Sequence, residues 1–471
     1  MTAFCLAGLR ATIIGLGREG TALARFLVEQ GARVTVSDVK VPEALAANLA
    51  QLADLDVQYA LGGHPPEILD ADVLFLSPGV PDDAPAVIEA RRRGVALSSE
   101  TRLFTRLCPS PVIGITGSSG KTTTVTLVGK MLEATGLRTF VGGNIGQPLI
   151  GRLGEIASND RVVMELSSFQ LERFGPAPLP ERAFPEGGWS PTGAAVLNIT
   201  PNHLDRHPTM EDYVAAKANI VRYQTASDWA VLNADDGFAS AMRPHCAGRV
   251  LEFSLDGPVE VGAYLRGDAL VWVPEPGREV RIGSISDLKL RGRHNVANVL
   301  AACAIAGAGG ATAEAMSQVS TSFTGVEHRL ELVRMRDGVA YYNDSIATSP
   351  ERAVAAMQSF SEPLVLLAGG RDKHLSWDLW AAEVRKRVRE VICFGEMAPL
   401  LQRVLAQAGD GARGGPRVHC FETMQEAVEA AARLAQAGDV VLLSPGGTSF
   451  DAFADYAERG EAFRAAVLAL P

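Results

Sequence analysis

The run Gly114-Ile-Thr-Gly117-Ser118-Ser119-Gly120-Lys121-Thr122-Thr123 decides the fold class. It follows the β-branched stretch Val112–Ile115. It precedes a segment with Val125, Val128, Met131 and Leu132 at helical spacing, which Gly136 can stop. Strand, glycine loop and helix in that order form the setting of a phosphate-binding loop. Glycines let backbone N–H groups approach phosphate oxygens, and the helix N-terminus adds positive potential. Lys121 is then placed to neutralise β- and γ-phosphates, and the Thr122 hydroxyl to face Mg²⁺. Gly117, Ser118, Ser119, Gly120 and Thr123 complete the expected nucleotide contacts. The spacing departs from the strict GxxxxGK[ST] pattern, whose first glycine would fall on Ile115. A glycine-rich turn with an exposed lysine is the alternative.

On both sides of this loop, short β-branched strands alternate with helical segments, which predicts an α/β fold with parallel sheets. Upstream, a strand at Ala11–Ile14 leads into Gly15-Leu-Gly17-Arg18-Glu19-Gly20, a helix over Glu19–Gln30 and a strand at Arg33–Ser37, followed by Asp38. This fits a dinucleotide fingerprint, and cannot by itself choose between NAD, FAD and a nucleotide sugar. Further strands are expected at Val73–Leu76 and Val95–Ser98, and a linker at Cys108–Pro111. Downstream, strands are expected at Arg161–Leu166, Ala194–Ile199 and Ala230–Asn233. Between the first two lies Gly175–Gly193, with five prolines, read as an irregular surface excursion. Residues 248–290 suggest a small antiparallel patch. A third block has strands at Val339–Tyr342, Leu364–Ala368, Val391–Phe394 and Val440–Leu443, again a parallel sheet. The expected domains are 1–106, 107–325 and 326–471.

Bulk properties agree with a multidomain globular protein. A chain of 471 residues exceeds what one core serves, and 47% hydrophobic with 21% charged residues is ordinary globular composition. The net charge of -10 argues against nucleic acid or an anionic membrane surface as the main partner. The six cysteines are scattered without a CxxC pair, as in a reducing cytoplasm. No apolar run approaches the ~20 residues of a membrane span.

Several polar residues follow predicted strands, where open α/β sheets bind ligands. Glu165 is a candidate Mg²⁺ ligand, since Mg²⁺ takes one or two carboxylates with phosphates and water. His203, in Thr200-Pro-Asn-His203-Leu-Asp205-Arg206, is structural or catalytic. Glu327-His328-Arg329-Leu-Glu331, Asn343-Asp344-Ser345-Ile-Ala-Thr348, Gly369-Gly-Arg-Asp-Lys373 and Ser444-Pro-Gly-Gly-Thr448-Ser449 add loops of the same kind. Together they point to a convergent anion site.

In their order these motifs, with Phe140-Val-Gly-Gly-Asn144-Ile-Gly, Glu165-Leu-Ser-Ser-Phe-Gln170-Leu-Glu and Gly292-Arg-His-Asn295-Val-Ala-Asn298, resemble the Mur ligases of peptidoglycan synthesis over essentially the whole chain. The resemblance implies three domains: a Rossmann-like N-terminal UDP-binding domain, a central P-loop ATPase-type domain and a Rossmann-like C-terminal domain that brings in the amino acid. It is strongest to the branch that joins D-glutamate to UDP-N-acetylmuramoyl-L-alanine through an acyl phosphate. ATP and Mg²⁺ are then the expected cofactors, with a monomeric, cytoplasmic enzyme.

The resemblance also implies roles residue by residue. Lys121, His203 and Lys217 match catalytic positions; Thr122, Glu165, His203 and Lys217 match metal positions. Lys217, in Tyr213-Val-Ala-Ala-Lys217, falls where the family carries a carbamylated lysine; its own sequence context reads as an exposed helical lysine. Asn298, Arg329 and Asp344 match ATP contacts. Gly17, Arg18, Glu19, Asp38, Gly79, Asn144 and Gln170 match the UDP-sugar neighbourhood, and Thr348, Lys373, Ser449 and Tyr456 the glutamate pocket. There are departures. Ile346 stands where many members have lysine, the 444–449 loop differs in filling, Tyr456 replaces phenylalanine, and the Gly175–Gly193 stretch is longer. They bear on amino-acid recognition, including the choice between D- and L-glutamate. Folylpolyglutamate synthetases share the chemistry but lack the first nucleotide domain. A nicotinamide oxidoreductase would leave the phosphate loop unused, and a regulatory ATPase would leave the glutamate loops without purpose.

Overall fold

The computed structural model describes residues 6–176, 187–201, 206–290, 292–373, 375–407 and 415–471. They divide into two compact units, Met1–Phe323 and Thr324–Pro471.

The first unit holds two sheets. In one, β1 (Arg10–Ile14), β2 (Arg33–Asp38), β3 (Val57–Leu61), β4 (Val73–Leu76) and β5 (Ala96–Ser98) run parallel in the order β3-β2-β1-β4-β5. The helix Arg18–Glu29 buries Leu23, Ala24 and Leu27 at i, i+1 and i+4 against it. Each of the two leucines contributes roughly 1.5–3 kcal/mol of transfer free energy. The strand order reverses between β1 and β4, so the Gly15–Gly20 turn and the loop after β4 open onto the same crevice. A Cβ on Gly20 would lie 2.1 Å from the Gly15 carbonyl, which is why the turn can be this tight.

The second sheet contains β6 (Val112–Thr116), β7 (Thr139–Gly143), β8 (Arg161–Glu165), β9 (Gly193–Val196), β10 (Trp229–Asn233), β11 (Arg249–Ser254), β12 (Gly262–Arg266), β13 (Ala269–Glu275) and β14 (Arg278–Ser284). Its order is β14-β13-β12-β11-β10-β9-β6-β8-β7. Residues 248–290 do not form a separate antiparallel patch. β11 and β12 pair parallel and continue the main sheet; antiparallel pairing begins at β13. The strand expected at Ala194–Ile199 stops at Val196. Beyond it the backbone turns to hold the phosphate loop, with Leu197 N–H donating to Thr116 O at 2.9 Å. The proline-rich excursion is closed at its base by Trp189 N–H donating to Phe174 O, and the two rings meet edge to face. Its residues 177–186 lie outside the described residues.

The second unit has β15 (Glu331–Arg336), β16 (Val339–Asn343), β17 (Leu364–Gly369), β18 (Val388–Phe394), β19 (Arg417–Phe421) and β20 (Val440–Gly446), in the order β15-β16-β20-β17-β18-β19. The sheet is parallel except for β15, which pairs antiparallel with β16 through a tight turn at Asp337 and Gly338. Among the described residues no helix is long and apolar enough to cross a membrane, and Cys108, Cys246, Cys303, Cys393 and Cys420 are free thiols.

Candidate active site

The phosphate loop is held from the neighbouring strand end. Ser118 N–H donates to Asn198 O and Ser119 N–H to Asn198 Oδ1, each at 2.9 Å, while Asn198 Nδ2 donates to Ser119 O at 3.2 Å. Ser118 Oγ donates to Thr200 O and lies 3.0 Å from the Tyr213 hydroxyl. Gly120 has φ 78°, and a Cβ there would lie 2.2 Å from Asn298 Oδ1. The helix Arg293–Ala308 therefore packs Asn298 directly on the loop.

Cations and hard oxygen donors converge at this place. Lys121, at the start of the helix Lys121–Ala134, curls back so that Nζ donates to Gly117 O at 3.0 Å. Thr122 Oγ1 donates to Glu165 Oε2 at 2.8 Å, and Asn144 Nδ2 donates to Glu165 Oε1 at 2.9 Å. Glu165 is 3% exposed. A hydroxyl beside one carboxylate fits Mg²⁺, which keeps most of its shell for water and phosphate. Lys217, on the helix Met210–Arg222, is 1% exposed. Its Nζ donates to Thr116 Oγ1 at 3.2 Å and to Gly117 O at 3.1 Å, with the Tyr213 ring 4.7 Å away. Burial, then the Lys121 charge, push its pKa down to about 7, against the pull of Glu165. His203 lies outside the described residues.

A second set of candidates surrounds the first glycine turn. Gly17, Arg18 and Gly79 are exposed there. Asp38 accepts from Leu16 N–H at 2.7 Å and Lys40 N–H at 2.9 Å, so its carboxylate braces the turn. Gln170 caps its own short helix through Ser167, and its Nε2 donates to Thr101 Oγ1 at 3.1 Å and Glu19 Oε1 at 3.4 Å. Glu100 is buried beside them and accepts from Thr101 Oγ1. Burial, then the Glu19 charge, raise Glu100 to about 8; burial raises Glu19 to about 7. Asn144, also expected in this neighbourhood, donates to Glu165 beside the phosphate loop. Arg206 Nη2 donates to Val80 O at 2.9 Å and Arg173 pairs with Asp82, binding the loop after β4 to the central residues.

In the second unit, the loops after β16, β17 and β20 meet. Arg371 and Thr448 exchange backbone hydrogen bonds at 2.9 Å, and Lys373 Nζ donates to Thr348 Oγ1 at 3.4 Å. Arg459, fully buried on the helix Tyr456–Ala469, donates to Ser345 Oγ, Ser345 O and Gly447 O. Asp344 accepts from Leu330 N–H at 3.2 Å and Ser444 Oγ at 3.0 Å, and burial raises it to about 7. Ser449 is 2% exposed and Tyr456 40% exposed. Arg329 precedes β15, its N–H bonded to Val326 O.

Three family models match the chain. Residues 9–99 match the Mur ligase MurD-like N-terminal domain, 115–306 the Mur ligase middle domain and 328–447 the Mur ligase glutamate ligase domain. The chain is similar to the UDP-N-acetylmuramoylalanine--D-glutamate ligase of Symbiobacterium thermophilum, with 45% identity over 98% of each chain. It is 41% identical to the protein of that name from Roseiflexus sp., again over 98% of each chain. The chain belongs to the Mur ligase family.

Solved Mur ligases share its fold. The UDP-N-acetylmuramate-alanine ligase of Thermotoga maritima is 19% identical, with TM-score 0.55 over 97% of this chain and 98% of that one. Two residues at the Mur ligase loops escape a reading of motifs. Tyr213 borders both Ser118 and Lys217, four positions before the lysine on one helix face. Arg459 shares a face with Phe463 and Val467, a helical spacing that marks it as inward-facing.

Proposed function

We propose that this Mur ligase joins the amine of D-glutamate to the alanyl carboxylate of UDP-N-acetylmuramoyl-L-alanine, with ATP converted to ADP and phosphate. It acts as a cytoplasmic monomer in peptidoglycan precursor synthesis. The observation that carries the reading is the convergence of Lys121, Thr122, Glu165 and Lys217 on one phosphate loop.

A carboxylate is a poor acyl donor, so one of its oxygens attacks the γ-phosphorus and the bond to ADP breaks. The glutamate amine then adds to the acyl carbon, loses a proton, and the C–O bond to phosphate breaks. Two anions meet in the first step, which makes charge neutralisation the main demand on the protein. Lys121 and the loop N–H groups serve the phosphates. Thr122, Glu165, His203 and, as its carbamate, Lys217 would hold Mg²⁺, which would supply Lewis-acid stabilisation at the phosphoryl group. Asn298, Arg329 and Asp344 bind the rest of ATP.

Lys217 is carbamylated in this reading. A neutral amine adds to CO₂ and releases a proton, and burial favours the neutral amine. Gly17, Arg18, Glu19, Asp38, Gly79, Asn144 and Gln170 form the UDP-sugar site, and Thr348, Lys373, Ser449 and Tyr456 receive glutamate. The test is phosphate release with each substrate omitted in turn. Release requires both UDP-N-acetylmuramoyl-L-alanine and glutamate; equal rates without either would sink the reading.

A further inference from the structure

We infer that Arg352 is a specificity residue that binds one of the two carboxylates of the amino-acid substrate, at the place where Ile346 leaves the loop without a cation. The inference rests on the proposed glutamate pocket. Glutamate brings two negative charges and must leave its amine free to attack, so both carboxylates need partners. Lys373 can serve one, and a cation beside the other would hold it more strongly than neutral donors such as the Ser449 hydroxyl.

The loop after β17 and the helices Pro350–Gln358 and Tyr456–Ala469 carry Arg371, Lys373, Arg352, Arg459 and Arg464, and Arg464 is committed to Glu331 at 2.7 Å. Arg371 is committed to Glu396 at 2.9 Å. Arg459 is fully buried and spends its donors on Ser345 and Gly447. Lys373 and Arg352 are exposed, and neither has a carboxylate partner within ion-pair distance among the described residues. Arg352 lies in the first turn of the helix Pro350–Gln358, immediately after the loop.

The two cations flank one short turn. Ile346 O accepts from Thr348 N–H at 2.8 Å and from Arg352 Nη1 at 3.3 Å, and Thr348 Oγ1 accepts from Lys373 Nζ at 3.4 Å. Arg352 is thus one hydrogen bond from the turn on one side, and Lys373 one bond from it on the other. A long bond to a neutral carbonyl is readily exchanged for a charge-assisted, bidentate one to a carboxylate. The guanidinium reaches the turn from the helix, while the loop itself carries Ile346 and no cation.

The experiment is steady-state kinetics of Arg352→Gln in the full chain with each substrate varied. Losing a charge-assisted contact raises the glutamate KM on the order of 10–100-fold, while the KM values for ATP and UDP-N-acetylmuramoyl-L-alanine and the melting temperature stay near wild type. Arg352→Lys retains part of the affinity, and adding Ile346→Lys to Arg352→Gln restores part of it. An unchanged glutamate KM, an equal rise for all three substrates, or a rise that neither lysine relieves overturns the inference. Lys373→Ala separates it from the reading beneath it. If Lys373→Ala raises the glutamate KM and Arg352→Gln does not, the assignment of Arg352 alone fails. If the wild-type protein does not consume glutamate, the pocket itself is misassigned.

Discussion

Thr122 donates its hydroxyl to Glu165 across 2.8 Å, tying the first turn of the helix after the phosphate loop to the end of β8. Asn144 occupies the other carboxylate oxygen. The bond joins two candidate metal donors and aligns them before any ion arrives. Glu165→Gln keeps the shape and removes the charge. It should raise the Mg²⁺ concentration needed for half-maximal activity by about 10–100-fold, and Thr122→Val by about tenfold, in line with loss of one ligand or its partner. Titration of Mg²⁺ at fixed ATP checks this; unchanged midpoints would remove the pair from the metal site.

Lys217→Ala should lower turnover at least ~10²-fold, the scale of losing one electrostatic contact at a reacting phosphate. Adding a short carboxylic acid should restore part of the rate, because it returns an anion to the cavity left by the side chain. Full activity in Lys217→Ala would refute a role for this lysine.

Gly120→Ala places a Cβ 2.2 Å from Asn298 Oδ1 at a residue with φ 78°. The backbone alone costs about 1–2 kcal/mol, and the Asn298 side chain must move as well. The variant should melt earlier and bind ATP more weakly. Calorimetry with and without nucleotide reads both, and an unshifted ATP affinity would separate Asn298 from the nucleotide site.

The Glu19–Glu100 pair makes stability depend on pH. Glu100 titrates near 4.5 when unfolded and about 8 when folded. Between those values the folded chain keeps a proton that the unfolded chain has released. The contribution of Glu100 is therefore full at low pH, falls by roughly 1.4 kcal/mol per pH unit across that window, and levels off above it. Glu100→Gln should flatten the slope. Denaturant unfolding of both forms from pH 5 to 9 tests it; identical slopes would mean that the buried carboxyl is not protonated.

The central strands were legible in the sequence because each is buried on both faces and reads as an apolar, β-branched run. Val112–Thr116 and Leu364–Gly369 are examples, buried at every position. Edge strands β3 and β19 were not, since exposed positions such as Gln58 and Arg417 break the run. The phosphate loop was legible as a local motif, whereas its packing against Asn298 joins residues 178 positions apart. Lys217 shows the limit most clearly. Its helix carries enough polar residues to read as a solvated face, yet the side chain is enclosed by Thr116, Gly117 and Tyr213. Only the family resemblance pointed to it. Asp38 matched a substrate position by motif, and its bonds to Leu16 and Lys40 show a bracing function that spacing could not reveal.

The most direct measurement follows an oxygen atom. UDP-N-acetylmuramoyl-L-alanine labelled with oxygen-18 in its alanyl carboxylate is incubated with ATP, Mg²⁺ and D-glutamate, and the phosphate and ligated product are weighed by mass spectrometry. Activation of that carboxylate at the Lys121 loop predicts one labelled oxygen in each phosphate released, matched by one amide product. Unlabelled phosphate, or phosphate formed without product, would contradict it.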